Sequence, residues 1–209
     1  MAQPTSIVLG CDGLMSPDQT DPGTMQPWPP AFYATAVHQP ELRVLGLGHK
    51  ARTGKDVAAA YLAARVPGAK TYAFSDAIAV VCRAIYGMTT RDPSLLQAVG
   101  LEERSKNPRV WVDALFWKIQ EDAPSLAIVT GVRFQNEVEM IEALGGEVWR
   151  VDRFNEDGSV FVASDRPPDH PTETALDGYP FQRILANHTG HLDLFLDDVL
   201  LAYRKFADE

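Results

Sequence analysis

A lysine placed directly after a glycine, at the start of a helix and behind a run of basic residues, can hold phosphate. Lys55 stands in that setting within RVLGLGHKARTGKDVAAAYLAAR, residues 43–65. Val44, Leu45 and Leu47 read as a buried strand, Gly46 to Gly54 as a glycine-bearing basic loop, and the alanine-rich run after Lys55-Asp56 as a helix. A strand, loop and helix in that order turn backbone N–H groups and a helix N-terminus toward one point, where an anion is favoured. Lys55 occupies the place from which a P-loop lysine reaches the terminal phosphates of a nucleoside triphosphate. Gly48, His49, Lys50, Ala51, Arg52, Thr53, Gly54, Lys55, Asp56 and Val57 are therefore the candidate ATP-binding residues. Two positions depart from G-x-x-x-x-G-K-[ST]: His49 stands where the first glycine belongs, with Gly48 one residue early, and Asp56 replaces the hydroxyl residue. A carboxylate beside a triphosphate repels it unless a cation lies between them or a basic neighbour pairs with it, which makes Asp56 the candidate metal ligand.

Further polar clusters could complete such a site. Ser75-Asp76 lies with Arg83 two helical turns on, Arg133 with Asn136 and Glu137 within GVRFQNE, Arg150 close to Arg153, and His170 ahead of Glu173 in HPTE. Each has a plainer alternative. Asp76 can cap a helix, Arg83 can be a solvated helix residue, Arg133 and Glu137 can form an i, i+4 pair, and Arg150 and Arg153 can be surface strand residues. His170 before a proline can be a turn residue, Glu173 can sit in a capping turn, and Trp111, at helical spacing with Leu115, can be core rather than a stacking platform.

The elements that would position these groups alternate. Strands are expected at Lys70 to Phe74, Leu126 to Val132, Glu147 to Val151 and Arg183 to Ala186, besides the one before the loop. Helices are expected at Ala77 to Tyr86, stopped by Gly87 and N-capped by Ser75 or Asp76, and at Pro93 to Val99, Pro108 to Glu121, Gln135 to Leu144 and His191 to Phe206. A further helix opens at His170, and Asp157-Gly158 between Phe154 and Ala163 signals a hairpin. This alternation predicts an α/β fold with a five-stranded parallel sheet and helices on both faces. In such a sheet ligands gather beyond the carboxyl ends of the strands, where the clusters fall. Residues 1–40 hold seven of the fifteen prolines and read as a Pro-rich extension, with Ser6 to Leu9 a candidate edge strand; residues 41–209 form the domain.

Composition narrows the classes. A chain of 209 residues with 45% hydrophobic content can bury a full core. Its net charge of −9 disfavours nucleic acid and anionic membranes as partners. Thirteen arginines against six lysines suit phosphate clamping, a bias that a GC-rich genome also produces. Cys11 and Cys82 form no CxxC, no apolar run approaches the roughly 20 residues of a membrane span, and no Lys or Arg precedes Arg43. A cytoplasmic setting is the expectation.

GHKARTGKD, FSDAIAVVCRAIYG, IVTGVRFQNEVEMIEALGGEVWRV and HPTETALD, in that order, give the chain a resemblance to the bacteriophage deoxynucleoside monophosphate kinases over about residues 43–200. The middle segments are similar to that family's F-A-D-P-(x)-K and V-R-F-x-N-E…G-G…R-V stretches, and the last to its H-P-S-E. Gly131 stands where many relatives carry an acid, and the lysine of the second segment is absent, with Arg83 the candidate for its role. The resemblance implies a three-layer P-loop kinase fold with a small lid insertion, Mg²⁺ as cofactor and ATP as donor. It implies an enzyme of DNA-precursor nucleotide metabolism that works in the host cytoplasm if phage-encoded, and it leaves a homodimer open. Lys55, Arg133, Arg150 and Arg153 become the candidate catalytic residues, the last two on a lid side over ATP. Ser75, Asp76, Arg83, Trp111, Arg133, Asn136, Glu137, His170 and Glu173 become candidates for holding the acceptor monophosphate. Two rivals remain open: a phosphomevalonate-kinase-like enzyme with a non-nucleotide phosphate acceptor, and a P-loop protein that binds nucleotide without catalysis.

Overall fold

Apolar residues alternate between two faces along the central strands, and that alternation sets the layers. In a computed structural model, which describes residues 42–164 and 167–208, β1 (Arg43–Gly48), β2 (Ala69–Ala73), β3 (Leu126–Val132), β4 (Glu147–Phe154) and β5 (Arg183–His188) form one sheet. The order is β2-β3-β1-β4-β5 and every pairing is parallel. Leu45, Leu47, Leu126 and Ile128 point to one face, where they meet Ala58 and Leu62 of α1 (Lys55–Ala63) and Phe195 and Val199 of α7 (Leu192–Asp208). Val44, Ala127 and Val129 point to the other, against α2 (Phe74–Tyr86), α4 (Val110–Asp122) and α5 (Gln135–Ala143). The fold is thus a three-layer α/β architecture, as the alternation predicted. Fully burying a side chain such as Leu62 or Phe116 contributes about 1.5–3 kcal/mol relative to leaving it in water.

α3 (Pro93–Lys106) packs across α2 and α4. It runs seven residues beyond the expected end at Val99, through Gly100 to Lys106. A Cβ at Gly100 would meet Ile78 Cδ1 at 3.0 Å, so this glycine lets α3 lie close on α2. α2 begins at Phe74, straight from β2, and neither Ser75 nor Asp76 is its N-cap; Ala73 is, and its N–H donates to Asp76 Oδ2 at 3.2 Å. β4 continues to Phe154 and β5 to His188, each past its expected end, since the two strands pair with one another to those residues. The predicted hairpin is present: Phe154 bridges Val160 in antiparallel sense and Phe161 N–H donates to the Arg153 carbonyl. The Pro-rich extension, with its candidate edge strand at Ser6 to Leu9, lies outside the described residues.

Gly146 marks the tightest point of the sheet. A Cβ there would press onto the Val44 carbonyl oxygen, a backbone atom that no rotamer change can move. Gly146→Ala is expected to cost about 1–3 kcal/mol, read as a lower midpoint in urea with an unchanged m-value. An unchanged midpoint would mean that β4 enters the sheet more loosely than this contact implies.

Candidate functional site

Backbone register specifies the sheet as far as Gly48 and Val132. There Leu47 pairs with Thr130 but Gly48 pairs with Val132, so Gly131 is bulged out. Its φ of 70° is left-handed, which favours glycine over any residue with a Cβ. The acid that the family resemblance expects is therefore missing at a position whose backbone disfavours it.

Beyond β1 the chain turns through residues 49–54 into α1. Arg52 (φ 56°) and Gly54 (φ 105°) both adopt left-handed conformations, which curl the loop. Asn187 of β5 braces it by donating to the Thr53 carbonyl at 2.8 Å. Lys55 is 5% exposed, and its Nζ folds back to the Lys50 carbonyl oxygen and to Thr53 Oγ1 at 3.2 Å. The lysine thus lies across the inside of the loop, at the N-terminus of α1, where a helix favours an anion. Asp56, one residue on, is exposed.

Two side chains of the loop turn away from this point. His49 is buried, its Nε2 paired with Asp177 Oδ1 at 2.9 Å and its ring stacked on Phe181, and burial lowers its pKa. Lys50 Nζ donates to the Glu173 carbonyl at 2.6 Å and to Asp177 at 2.5 Å, an interaction that holds the Asp177 carboxyl below its usual range. α6 (Pro171–Thr174) and the segment after it thus hold both side chains, and what His49 and Lys50 turn toward the inside of the loop is their backbone.

A cleft of about 610 Å³ opens from the loop to the ends of β2 and β3. Lys55, Arg52 and Asp56 form its floor at one end. Ser75, Asp76, Arg91, Gln97 and Arg104 form the wall from α2 and α3, and Arg133, Phe134 and Glu137 the wall from β3 and α5. Glu137 is buried; its Oε2 accepts the N–H groups of Arg133 at 2.7 Å and Phe134 at 3.2 Å, and its Oε1 accepts Arg104 Nη2 at 2.8 Å. Burial pushes the Glu137 carboxyl up, while Arg104 and the two backbone donors pull it down. The Arg104 guanidinium also lies over the Phe134 ring at 4.0 Å, and its buried Nε has no partner among the described residues. Arg91 Nη2 donates to Ser75 Oγ at 3.2 Å on the same wall as Arg104. Four arginines, Arg52, Arg91, Arg104 and Arg133, thus line one cleft.

A second cavity, of about 400 Å³, lies on the other side of the loop between Arg52, Gly54, Asp56, Val57, Arg153, Asn187 and His188. Arg153 spans it, donating to the Arg52 carbonyl at 3.3 Å with its guanidinium 4.5 Å over the Phe161 ring.

Of the residues singled out in the sequence, Ser75, Asp76, Arg133 and Glu137 come together at the main cleft, and Val57 and Arg153 at the second cavity. Others do not. Arg83 points to solvent from the last turn of α2. Trp111 is 3% exposed, with its Nε1 donating to the Gly100 carbonyl at 3.0 Å, so it is core. Asn136 donates to the Pro108 carbonyl, and His170 caps α6 by accepting the Thr172 N–H. Arg150 pairs with Asp152 at 2.6 Å on the face away from Arg153. Glu173 is buried behind the cleft rather than lining it. Sequence reading missed Arg91, Gln97, Arg104, Asn187 and His188. Ending α3 at Val99 hid Arg104 in an apparent surface loop, and Arg91 carried no motif.

Among the described residues, no group of three or more His, Cys, Asp or Glu could cage a metal ion. Asp56 is an exposed carboxylate that lines both cavities, where a hard cation could keep most of its waters. No helix is long and apolar enough to cross a membrane, among the described residues. No protein-family model matches the chain, and no curated protein matches it either.

Proposed function

We propose that the protein is an ATP-dependent kinase that phosphorylates a deoxynucleoside 5′-monophosphate to the diphosphate. The observation that carries this reading is the pair of cavities on either side of one phosphate loop, which share Arg52 and Asp56. A donor with its base in the smaller cavity and its phosphates on the loop would present the terminal phosphate to the larger cleft. An acceptor in that cleft would meet Arg91, Arg104 and Arg133. The bond between the γ-phosphorus and its bridging oxygen breaks, a bond to an acceptor phosphate oxygen forms, and ADP leaves. The acceptor oxygen is already ionised, so no general base is required, and catalysis is positioning and charge neutralisation.

Together the two substrates carry roughly six negative charges at neutral pH. A chain of net charge −9 must meet them with local cations. Lys55 serves the transferring phosphate, Arg52 and Arg153 the donor side, and Arg91, Arg104 and Arg133 the acceptor. Asp56 would hold Mg²⁺ directly or through water, and the chemistry that ion supplies is neutralisation of phosphate charge.

Incubation with ATP and each of dAMP, dGMP, dCMP and dTMP tests the reading. ADP and a deoxynucleoside diphosphate should form in equal amounts. Transfer only to a non-nucleotide phosphate, or ATP binding without transfer to any acceptor, would overturn it. Asp56→Asn gives a second check. It is expected to move half-maximal activity to several-fold higher Mg²⁺, while metal-free ATP affinity stays the same or tightens as one repelling charge is lost. An unchanged titration would reduce Asp56 to a first-turn acid of α1.

A further inference from the structure

Register between β1 and β3 shifts at the Gly131 bulge and ends at Gly48 and Val132, so the phosphate loop and Arg133 both lie beyond the part of the sheet whose spacing the ladder fixes. One side chain ties them together. Glu173 is 4% exposed; its Oε2 accepts the Ala51 N–H of the loop at 2.8 Å, and its Oε1 accepts Arg133 Nη1 at 2.7 Å. The same turn supports both partners through its backbone: the Thr172 carbonyl accepts Arg133 Nη1 at 3.0 Å, and the Glu173 carbonyl accepts Lys50 Nζ. The turn is itself fixed by the His170 cap, with Pro171 at its first helical position. Glu173 touches neither cavity.

We infer that Glu173 is a positioning residue for the transfer, a single carboxylate that sets the spacing between the loop that holds the donor and the arginine that holds the acceptor. The inference rests on the kinase reading above. In-line transfer needs the acceptor oxygen close to the γ-phosphorus, and a misplacement of about 1 Å can cost about a hundredfold in rate. A carboxylate whose two oxygens are committed to the two sides transmits any shift of one to the other. A buried ion pair that only stabilised α6 would instead act on stability alone.

Two variants separate these roles. Glu173→Gln keeps an oxygen for the Ala51 N–H but sets an amide against the Arg133 guanidinium. Glu173→Asp keeps the charge but is one methylene too short to reach both partners. Both are expected to lower kcat about a hundredfold, with the KM for ATP within about threefold of wild type. Combined with Arg133→Lys, the Glu173→Gln loss should be less than additive, since both changes break one unit. If Glu173→Gln does not fold, Glu173→Asp carries the same comparison of kcat with KM. A kcat within threefold of wild type in the folded variants, or recovery of full kcat by Asp, would overturn the inference while leaving the kinase reading intact. A wild-type protein that converts none of the four monophosphates would overturn the reading and this inference with it.

Discussion

Lys55→Met is expected to leave a folded protein whose kcat has fallen by about a thousandfold or more, a loss of about 4 kcal/mol of transition-state stabilisation. Lys55 is buried by the loop it serves and belongs to neither apolar cluster of the core. Methionine reproduces the length of its stem, so the packing cost is small; what disappears is the charged nitrogen at the Lys50 carbonyl and Thr53. That nitrogen has two tasks. It ties the two sides of the loop together through the Lys50 carbonyl and Thr53 Oγ1. In the proposed reaction it meets charge that moves from the γ-phosphate toward the β–γ bridge, a demand that peaks in the transition state. The first task predicts a modest loss of ADP affinity and the second a large loss of kcat. Thermal unfolding, ADP binding and initial rates on the same preparation separate them. A variant keeping more than a tenth of wild-type kcat would remove Lys55, and with it the phosphate loop, from the mechanism.

The parts of this molecule that were legible in the sequence are those fixed by local pattern. Val44, Leu45 and Leu47, and the run Leu126 to Val132, read as strands because a parallel strand covered on both faces needs apolar residues throughout. The loop was legible because Gly54-Lys55 sits at a strand-to-helix junction. What was hidden depends on contacts between distant segments. Nothing in GHKAR announces that His49 and Lys50 turn to Asp177, more than a hundred residues away. The part of α3 beyond Val99 was hidden, because the packing of Gly100 against Ile78 is invisible in one dimension. Arg104 was lost with it, and Arg91 lies in a connection without periodicity. Glu173 was legible as a candidate through the HPTE segment, but the ties it makes to Ala51 and Arg133 depend on which way one short turn faces.

Arg133 is where these distant ties converge, and its removal has the second large expected effect. Glu137 accepts its N–H, Glu173 and the Thr172 carbonyl accept its guanidinium, and its side chain still lines the cleft. Arg133→Ala is expected to lower kcat/KM for the monophosphate by about a thousandfold, with the KM for ATP changed far less, because Arg133 lines the main cleft, the proposed acceptor site, and not the second cavity. The same variant strands Glu173 as a buried carboxylate that has lost this ion pair, and breaking such a pair costs about 3–5 kcal/mol of stability. A fall in activity through unfolding would then imitate a fall through lost binding. Arg133→Lys resolves the ambiguity. It keeps a positive charge for Glu173, and so the fold, but exchanges a planar fork for a point charge that cannot grip a phosphate with two parallel bonds. The expected result is near-native thermal stability with a monophosphate KM raised about thirty- to a hundredfold, a binding loss of about 2–3 kcal/mol. Were Arg133→Lys to raise the KM for ATP and for the monophosphate equally, Arg133 would belong to the architecture of the loop, and the acceptor would have to be held by Arg91 and Arg104 alone.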